Sequence, residues 1–406
     1  MPLQIFRVTF NNIFIEKEKM RMKTRVLAST KVGYELPIEE AIKFSGKEAG
    51  ICYMPDTVDT ILAEPDEKTM KRANGNMSSN HHSVFGHPQY NFVFEEIPKI
   101  MAMILNNEKV YDTSEKSARY TKMKPSEAER VLYEKWIQIY KNRIQEVYPN
   151  IEDKQAQKLA QENARYLISV FTPATVMGHT ISFEQFSYVL HFMQDFVDNK
   201  EGTEFYNLLK PSFKEFIELH SKYKVSGINP KSKNRELSLF SKVQREDEWG
   251  WNYCYSYWAS FAQLAQAQRH RTLAYEIWEP SINCVKPTYF IPPIIRKTNL
   301  EVEWLKDIKS LSNYFPQGMM VYVNERGTVE NFILKCKERL CGCAQLEIAM
   351  QTKETLEMYL MHTKNKKQEV YEYLHEYGVG ARCTFPDYTC SKPCIWGAKN
   401  ALDRLI

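Results

Sequence analysis

The feature that most restricts how this chain can fold is an apolar run of helical period that ends on three basic side chains. Phe261, Leu264, Ala265 and Gln268 recur at the spacing of one helix face, and Arg269-His270-Arg271 follows directly. The pattern predicts a half-buried helix with the triplet at its C-terminal end. Two guanidinium forks and an imidazole held together there suit a phosphate-bearing ligand, because guanidinium offers paired donors and imidazole adds a ring that can stack. The same triplet also suits a solvated helix end, where the macrodipole favours positive charge.

The surroundings of the triplet narrow the choice. Gln266-Ala267-Gln268-Arg269-His270-Arg271-Thr272 is followed by Tyr289-Phe290-Ile291-Pro292, then by Asn324-Glu325-Arg326, Asn331-Phe332 and Arg339-Leu340-Cys341-Gly342-Cys343-Ala344-Gln345-Leu346-Glu347-Ile348. Taken in this order, the segments resemble the signature and C-terminal motifs of the flavin-dependent thymidylate synthases. One element departs from the pattern. Where that family opens a Ser-x-Arg-Tyr nucleotide loop after the triplet, this chain has Glu279 and no Arg-Tyr. The absent loop resembles Glu115-Lys116-Ser117-Ala118-Arg119-Tyr120, far upstream, and Ser79-Asn80-His81-His82-Ser83-Val84-Phe85-Gly86-His87 is similar to the family's His-x-Ser-x-x-x-His entry to the first sheet. In this upstream copy Asn107-Glu108-Lys109 stands in place of the triplet. Asn163-Ala164-Arg165-Tyr166-Leu167 is similar to an Ala-Arg motif of the nucleotide site, whereas the aligned place before Pro316 is Ser312.

The resemblance therefore implies an α+β chain made of two diverged copies of the flavin-dependent thymidylate synthase domain, each an antiparallel sheet with long helices, together forming a pseudo-dimer. The first repeat would span 1–225, a linker 226–235 and the second repeat 236–406; at 406 residues the chain is long enough for two cores. Family active sites are shared between subunits of a homotetramer, so complementary losses imply one composite site per pair of halves, and a homodimer of such chains in place of the tetramer.

The implied reaction is methylation of dUMP to dTMP with FAD as cofactor and methylenetetrahydrofolate and NADPH as co-substrates. By resemblance Gln266 and Arg269 from the second half, with Glu115, Ser117, Ala118, Arg119 and Arg165 from the first, would hold the nucleotide. Arg339 would sit at the N3/O2 edge of the ring as the catalytic group, where a fixed cation stabilises developing charge. Ser83, Arg269, His270, Arg271, Asn324, Arg326 and Asn331 would contact the flavin, which carries the redox chemistry. Two other readings share these residues: a related enzyme adding a different one-carbon group to the pyrimidine, such as hydroxymethyl, and a non-catalytic nucleotide- or flavin-binding paralogue. Retention of Arg339 and of the triplet favours an enzyme. Ser117 has no histidine or lysine base beside it, so it reads as a ligand to phosphate or base rather than a nucleophile.

Lys plus Arg number 54 against 50 for Asp plus Glu, a formal charge of +4, too small an excess to point to a nucleic-acid polymer but compatible with local phosphate pockets. No apolar run reaches transmembrane length, and Arg7, Glu16, Lys17 and Glu18 close behind the N-terminus do not suit a signal peptide, so a cytoplasmic location and no membrane partner are expected. Nine cysteines in such a chain argue against a disulfide framework. The spacing of Cys383, Cys390 and Cys394 could close a zinc or iron–sulfur site with one of Cys336, Cys341 and Cys343; buried reduced thiols are the plainer reading. His81, His82 and His87 have no cysteine or carboxylate at ligand spacing.

Periodicity supplies the remaining expectations. Residues 1–30 alternate around Ile5, Val8, Phe10 and Val26 and predict strands, Pro37 to Gly50 predicts a helix, and Pro88 to Phe94 a strand. Phe183, Phe186, Val189, Leu190, Met193 and Phe196 form a helical stripe assigned to core. Turn residues and charge between 225 and 234 suit a linker. A single long helix is expected from Val329 to His362, carrying Asn331, Arg339 and Gln345 along one side. On a helix surface, Arg165 could alternatively pair with Glu162.

Overall fold

The computed structural model describes residues 26–116, 124–233, 235–240, 245–280, 289–391 and 394–406. Met1–Leu36 and Pro37–Ile406 form separate units. In the first, the described residues 26–36 contain a turn and no strand, and Val26 is 79% exposed, so the strand expected around it is not formed; Ile5, Val8 and Phe10 lie outside the described residues. A strand of alternating period needs a partner edge to satisfy its backbone, and no strand pairing among the described residues involves 26–36.

Two three-stranded antiparallel sheets organise the larger unit. The first contains β1 (Gln89–Pro98), β2 (Tyr111–Glu115) and β3 (Pro173–Ser182) in the order β1-β3-β2. The second contains β4 (Asn252–Ser260), β5 (Ala274–Ile277) and β6 (Met320–Thr328) in the order β4-β6-β5. Tyr90 and Phe94 point into the core of the first sheet while Asn91 and Val93 face out, the period-two signature of a half-buried strand.

The same succession of elements recurs in both halves. β1 runs into the helix Lys99–Leu105 and β4 into Phe261–Ala267; β3 runs into Phe183–Asn199 and β6 into Val329–Arg339. Three of these junctions are built alike, with a hydroxyl at the N-cap accepting from the backbone N–H three residues on: Ser182 from Gln185 (3.2 Å), Ser260 from Gln263 (3.1 Å) and Thr328 from Asn331 (3.4 Å). The expected helix at Pro37 is Ile38–Tyr53, and the stripe from Phe183 to Phe196 is buried core.

The halves interlock. Val170 N–H donates to Phe315 O (3.0 Å), Gln317 N–H to Ile168 O (2.8 Å) and Gly318 N–H to Tyr166 O (2.8 Å), a short antiparallel exchange centred on Ser169 and Pro316. Gly318 permits the approach, since a Cβ there would lie 2.9 Å from Tyr166 Cβ and 2.8 Å from Ile308 Cδ1. Trp136 meets Trp304 edge-on at 4.8 Å between ring centroids, and Phe205 stacks on Phe261. The segment expected as a linker is packed as well: Ile228 is buried and its carbonyl accepts from Ser187 Oγ at 3.0 Å.

The single helix expected from Val329 to His362 is instead two, Val329–Arg339 and Leu346–Thr363, separated by the turn 340–345. Gly342 sits where a Cβ would meet Trp396 Cδ1 at 2.7 Å and Cys394 Sγ at 2.8 Å, and Arg404 Nη2 donates to Ala344 O at 2.6 Å. The C-terminal segment thus occupies the path a continuous helix would need. Periodicity carries straight through the break, which is why the sequence pattern misses it.

Beneath β6 lies a fully buried ion pair. Lys335 Nζ contacts Glu325 at 2.6 Å with both side chains at 0% exposure, and Gln351 Oε1 accepts from the ammonium at 2.8 Å. The Tyr253 and Tyr257 hydroxyls each donate to Glu325 at 2.7 Å. Every charge is matched, so the network holds the second sheet to the helices Val329–Arg339 and Leu346–Thr363. Lys335→Met should strand the Glu325 carboxylate and lower folding stability by about 3–5 kcal/mol in urea denaturation, and restoring neutrality with Glu325→Gln in the same chain should recover part of the loss.

Candidate functional site

The helix Phe261–Ala267 is buried along nearly its whole length, which aims the residues after it at the other half. Gln268 Nε2 donates to Met103 O (2.9 Å) and to Asn107 Oδ1 (3.1 Å), so the end of this helix meets the end of its counterpart Lys99–Leu105. From there the triplet fans out as expected at a helix C-terminus, but its members have different surroundings. Arg269 Nη2 contacts Glu115 at 3.3 Å, Arg271 donates to Tyr111 O at 2.9 Å and pairs with Asp112, and His270 turns inward to accept from Arg339 Nε at 2.7 Å.

A cavity of about 420 Å³ opens between the halves. Lys99, Thr113, Glu115, Lys116, Arg165 and Thr175 line it from the first half, and Ala262, Ala265, Gln266, Arg269, Arg271, Gln317 and Arg339 from the second. Six cationic side chains face one carboxylate, a field suited to a polyanion. Glu115 anchors the wall: Lys99 Nζ (2.5 Å) and Thr175 Oγ1 (2.9 Å) bind one oxygen and Arg269 the other. Burial opposes ionisation of Glu115, but the adjoining Lys99 and Arg269 outweigh it and hold the carboxyl below its usual range; burial likewise lowers the Lys99 ammonium, against the pull of Glu115.

Arg165 is positioned by the second half. Its Nη2 donates to Gln345 Oε1 at 2.7 Å, Gln345 Nε2 donates to the Tyr166 hydroxyl at 2.6 Å, and that hydroxyl donates to Glu347 at 2.8 Å. Glu347 in turn accepts from Ser260 N–H (2.9 Å) and Oγ, which ties the arginine to the cap of the helix Phe261–Ala267. Arg165 Nε, Gln266 Oε1 and Gln317 Nε2 are buried at this cavity without a hydrogen-bond partner among the described residues. Buried polar atoms are ordinarily satisfied, so three such atoms around one cavity point to a polar ligand.

The structure thus brings Glu115, Arg165, Gln266, Arg269, Arg271 and Arg339 to one place; Ser117, Ala118 and Arg119 lie outside the described residues. Asn324, Arg326 and Asn331 are arranged differently. Asn324 Nδ2 donates to Ser256 Oγ at 3.0 Å, Arg326 contacts Glu276 at 2.5 Å, and Arg326 and Asn331 line a neighbouring cavity of about 520 Å³ together with Lys109 and Arg245. Ser83 is exposed on the turn His82–Gly86 and lines neither cavity. Glu279, standing where the family has its loop serine, accepts from Thr203 N–H at 2.7 Å and so fastens the start of the helix Glu204–Leu219.

The expected metal site is not assembled. Among the described residues no group of three histidine, cysteine or carboxylate side chains could hold a metal ion. Cys383 and Cys390 are exposed, while Cys394 is packed against the turn at Gly342, so the chain spacing does not become a shared centre. Lys99, Thr113, Thr175 and Gln317 carry no motif and escaped the sequence reading, and Lys116 stands inside the Glu115–Tyr120 motif without having been read as a site residue. The faint signal for Lys99 is its place at the start of the helix Lys99–Leu105, matched by Phe261 in the second half.

Residues 37–210 match the model of the family described as thymidylate synthase complementing protein. Over that stretch, somewhat less than half of the chain, the sequence is similar to that family. The matched residues include β1–β3, Glu115 and Arg165 and end before the triplet. No curated protein matches the chain. No helix among the described residues is long and apolar enough to cross a membrane.

Two buried histidines set an acid limit on this region. Burial, reinforced by Arg339 and Lys335, holds His270 well below the ordinary 6.5, and burial alone brings His179 to about 4, where its ring stacks on Tyr111 of β2. Both folded values are depressed, so the unfolded chain takes up protons first as pH falls. Folding stability should be at its full value above 6.5 and decline steadily as pH drops from there toward 4. Urea midpoints measured across this window should fall less steeply for His179→Gln; an unchanged slope would remove His179 as a cause.

Proposed function

We propose that this chain is a flavin-dependent thymidylate synthase in which two diverged copies of the family domain, joined near 226–235, form one composite site that converts dUMP to dTMP. The observation that carries the reading is the cavity between the halves, with Glu115 and Arg165 from one half, Gln266, Arg269 and Arg339 from the other, and unsatisfied polar atoms from both. The family match supports the class of reaction, and the recurrence of one strand order and one succession of elements supports the duplication.

In this reading Arg165 and Arg269 take the nucleotide phosphate, together with Ser117, Ala118 and Arg119, which follow Lys116 in the sequence. Glu115 fixes Arg269 and Gln345 fixes Arg165, so both cations are oriented before the ligand arrives, which lowers the entropy lost on binding. Arg339 is held from behind by His270. Because the imidazole is neutral and accepts through Nε2, it orients the guanidinium without competing for negative charge. Arg339 can then stabilise charge developing on the pyrimidine ring.

The residues present fit FAD: Arg269 and Arg271 offer charge-assisted donors at the cavity, and Arg326 and Asn331 line the neighbouring one. Bound there, reduced flavin would supply the one-carbon relay and the hydride, with methylenetetrahydrofolate and NADPH as co-substrates. Two such chains would associate as a homodimer in place of the family tetramer, in the cytoplasm.

Substitutions on opposite halves test the composite site. Arg165→Ala should raise KM for dUMP about tenfold with little change in kcat, as expected for loss of a charge-assisted contact. Arg339→Ala should depress kcat by about a hundredfold or more. Steady-state kinetics of the flavin-loaded enzyme decide the matter. If Arg165→Ala binds and turns over dUMP like the wild type, the first half is scaffold and the composite reading is abandoned.

A further inference from the structure

Gln317 is 2% exposed, lines the cavity between the halves, and has a side-chain amide donor with no hydrogen-bond partner among the described residues. Its backbone leaves it little freedom. The Gln317 N–H donates to Ile168 O at 2.8 Å and its carbonyl accepts from Ala262 N–H at 3.0 Å, which clamps it to the first half on one side and to the helix Phe261–Ala267 on the other.

The other half contains the control. Val170 makes the same two backbone bonds with the halves exchanged: its N–H donates to Phe315 O at 3.0 Å and its carbonyl accepts from Ile100 N–H at 2.9 Å, at the helix Lys99–Leu105. At that equivalent place the side chain is valine, fully buried. The fold therefore has no need of a carboxamide there. A buried amide left unpaired is costly, and an apolar residue of similar size would remove the cost, so folding alone does not explain Gln317.

Its chemistry indicates what it recognises. The cavity already has cations for phosphate, Arg165 and Arg269 among them, and a neutral amide adds little to a phosphate site. An N–H donor fixed in a desolvated wall suits an uncharged carbonyl oxygen, because such a site rejects ligands that leave the donor unpaired.

We propose that Gln317 is a specificity-determining residue that donates from Nε2 to a carbonyl oxygen on the ring of the bound pyrimidine nucleotide. The proposal rests on the reading of this cavity as a nucleotide site. Gln317 thereby divides the labour of the cavity, with Arg165 and Arg269 taking the phosphate and the amide taking the base.

The test compares wild type with Gln317→Met, which keeps the volume and removes the donor, using titration calorimetry with dUMP, a competing titration with inorganic phosphate, and thermal unfolding without ligand. The expected results are a melting temperature equal to or above that of the wild type, dUMP affinity weakened by about tenfold or more, and phosphate affinity unchanged. A lower melting temperature without ligand would assign Gln317 a structural role and overturn the proposal. Equal weakening of phosphate and dUMP would place the amide at the phosphate and overturn it too. If the wild type binds dUMP and the variant binds it equally well, only this assignment fails. If the wild type binds phosphate but no dUMP, the nucleotide reading fails and the assignment goes with it.

Discussion

The antiparallel exchange of backbone hydrogen bonds between 166–170 and 315–318 is the constraint on which the rest of the molecule depends. It joins the segment leading into β3 to the segment leading into β6, so the two sheets cannot shift independently. Arg165 lies one residue before the exchange and Gln317 within it. Gly318 is required because any Cβ would strike Tyr166 and Ile308. The cavity is therefore a product of the join between the halves rather than a feature of either half.

Around that join, polar groups are satisfied by partners from both halves. Glu115 is held by Lys99 and Thr175 and then orients Arg269; Glu347 is held by Ser260 and then, through Tyr166 and Gln345, orients Arg165. Buried carboxylates of this kind contribute little net stability but fix geometry, since each unmet hydrogen bond would be expensive. Among the buried polar atoms left without a partner among the described residues, Arg165 Nε, Gln266 Oε1 and Gln317 Nε2 belong to side chains that line the cavity.

Equivalent places in the two halves carry different side chains. Lys99 opens its helix toward the cavity, whereas its counterpart Phe261 stacks in the core on Phe205. At the place equivalent to Gln317 stands Val170, and following the helix Lys99–Leu105 stands Asn107-Glu108-Lys109, where burial brings the Glu108 carboxyl to about 7. Glu279 has become a fastener for Thr203. Polar function gathers on one side of the join and apolar packing or structural hydrogen bonding on the other.

The sequence alone determined the elements with a strong period, namely the helix bearing the triplet, the strand at Pro88 and the core stripe from Phe183, and its motifs named Glu115, Arg165, Gln266, Arg269 and Arg339, which line one cavity. These are local patterns, or motifs whose spacing survives in one dimension. The tertiary structure decided what depends on contacts distant in the chain. It broke the helix expected from Val329 to His362, because the C-terminal segment and Gly342 occupy its path, and it turned His270 inward to serve Arg339. It left Cys383 and Cys390 on the surface and brought Lys99 and Gln317 into the cavity, although no motif marks either. Burial and hydrogen-bond satisfaction are set by what packs opposite a residue, and spacing along the chain carries no record of that.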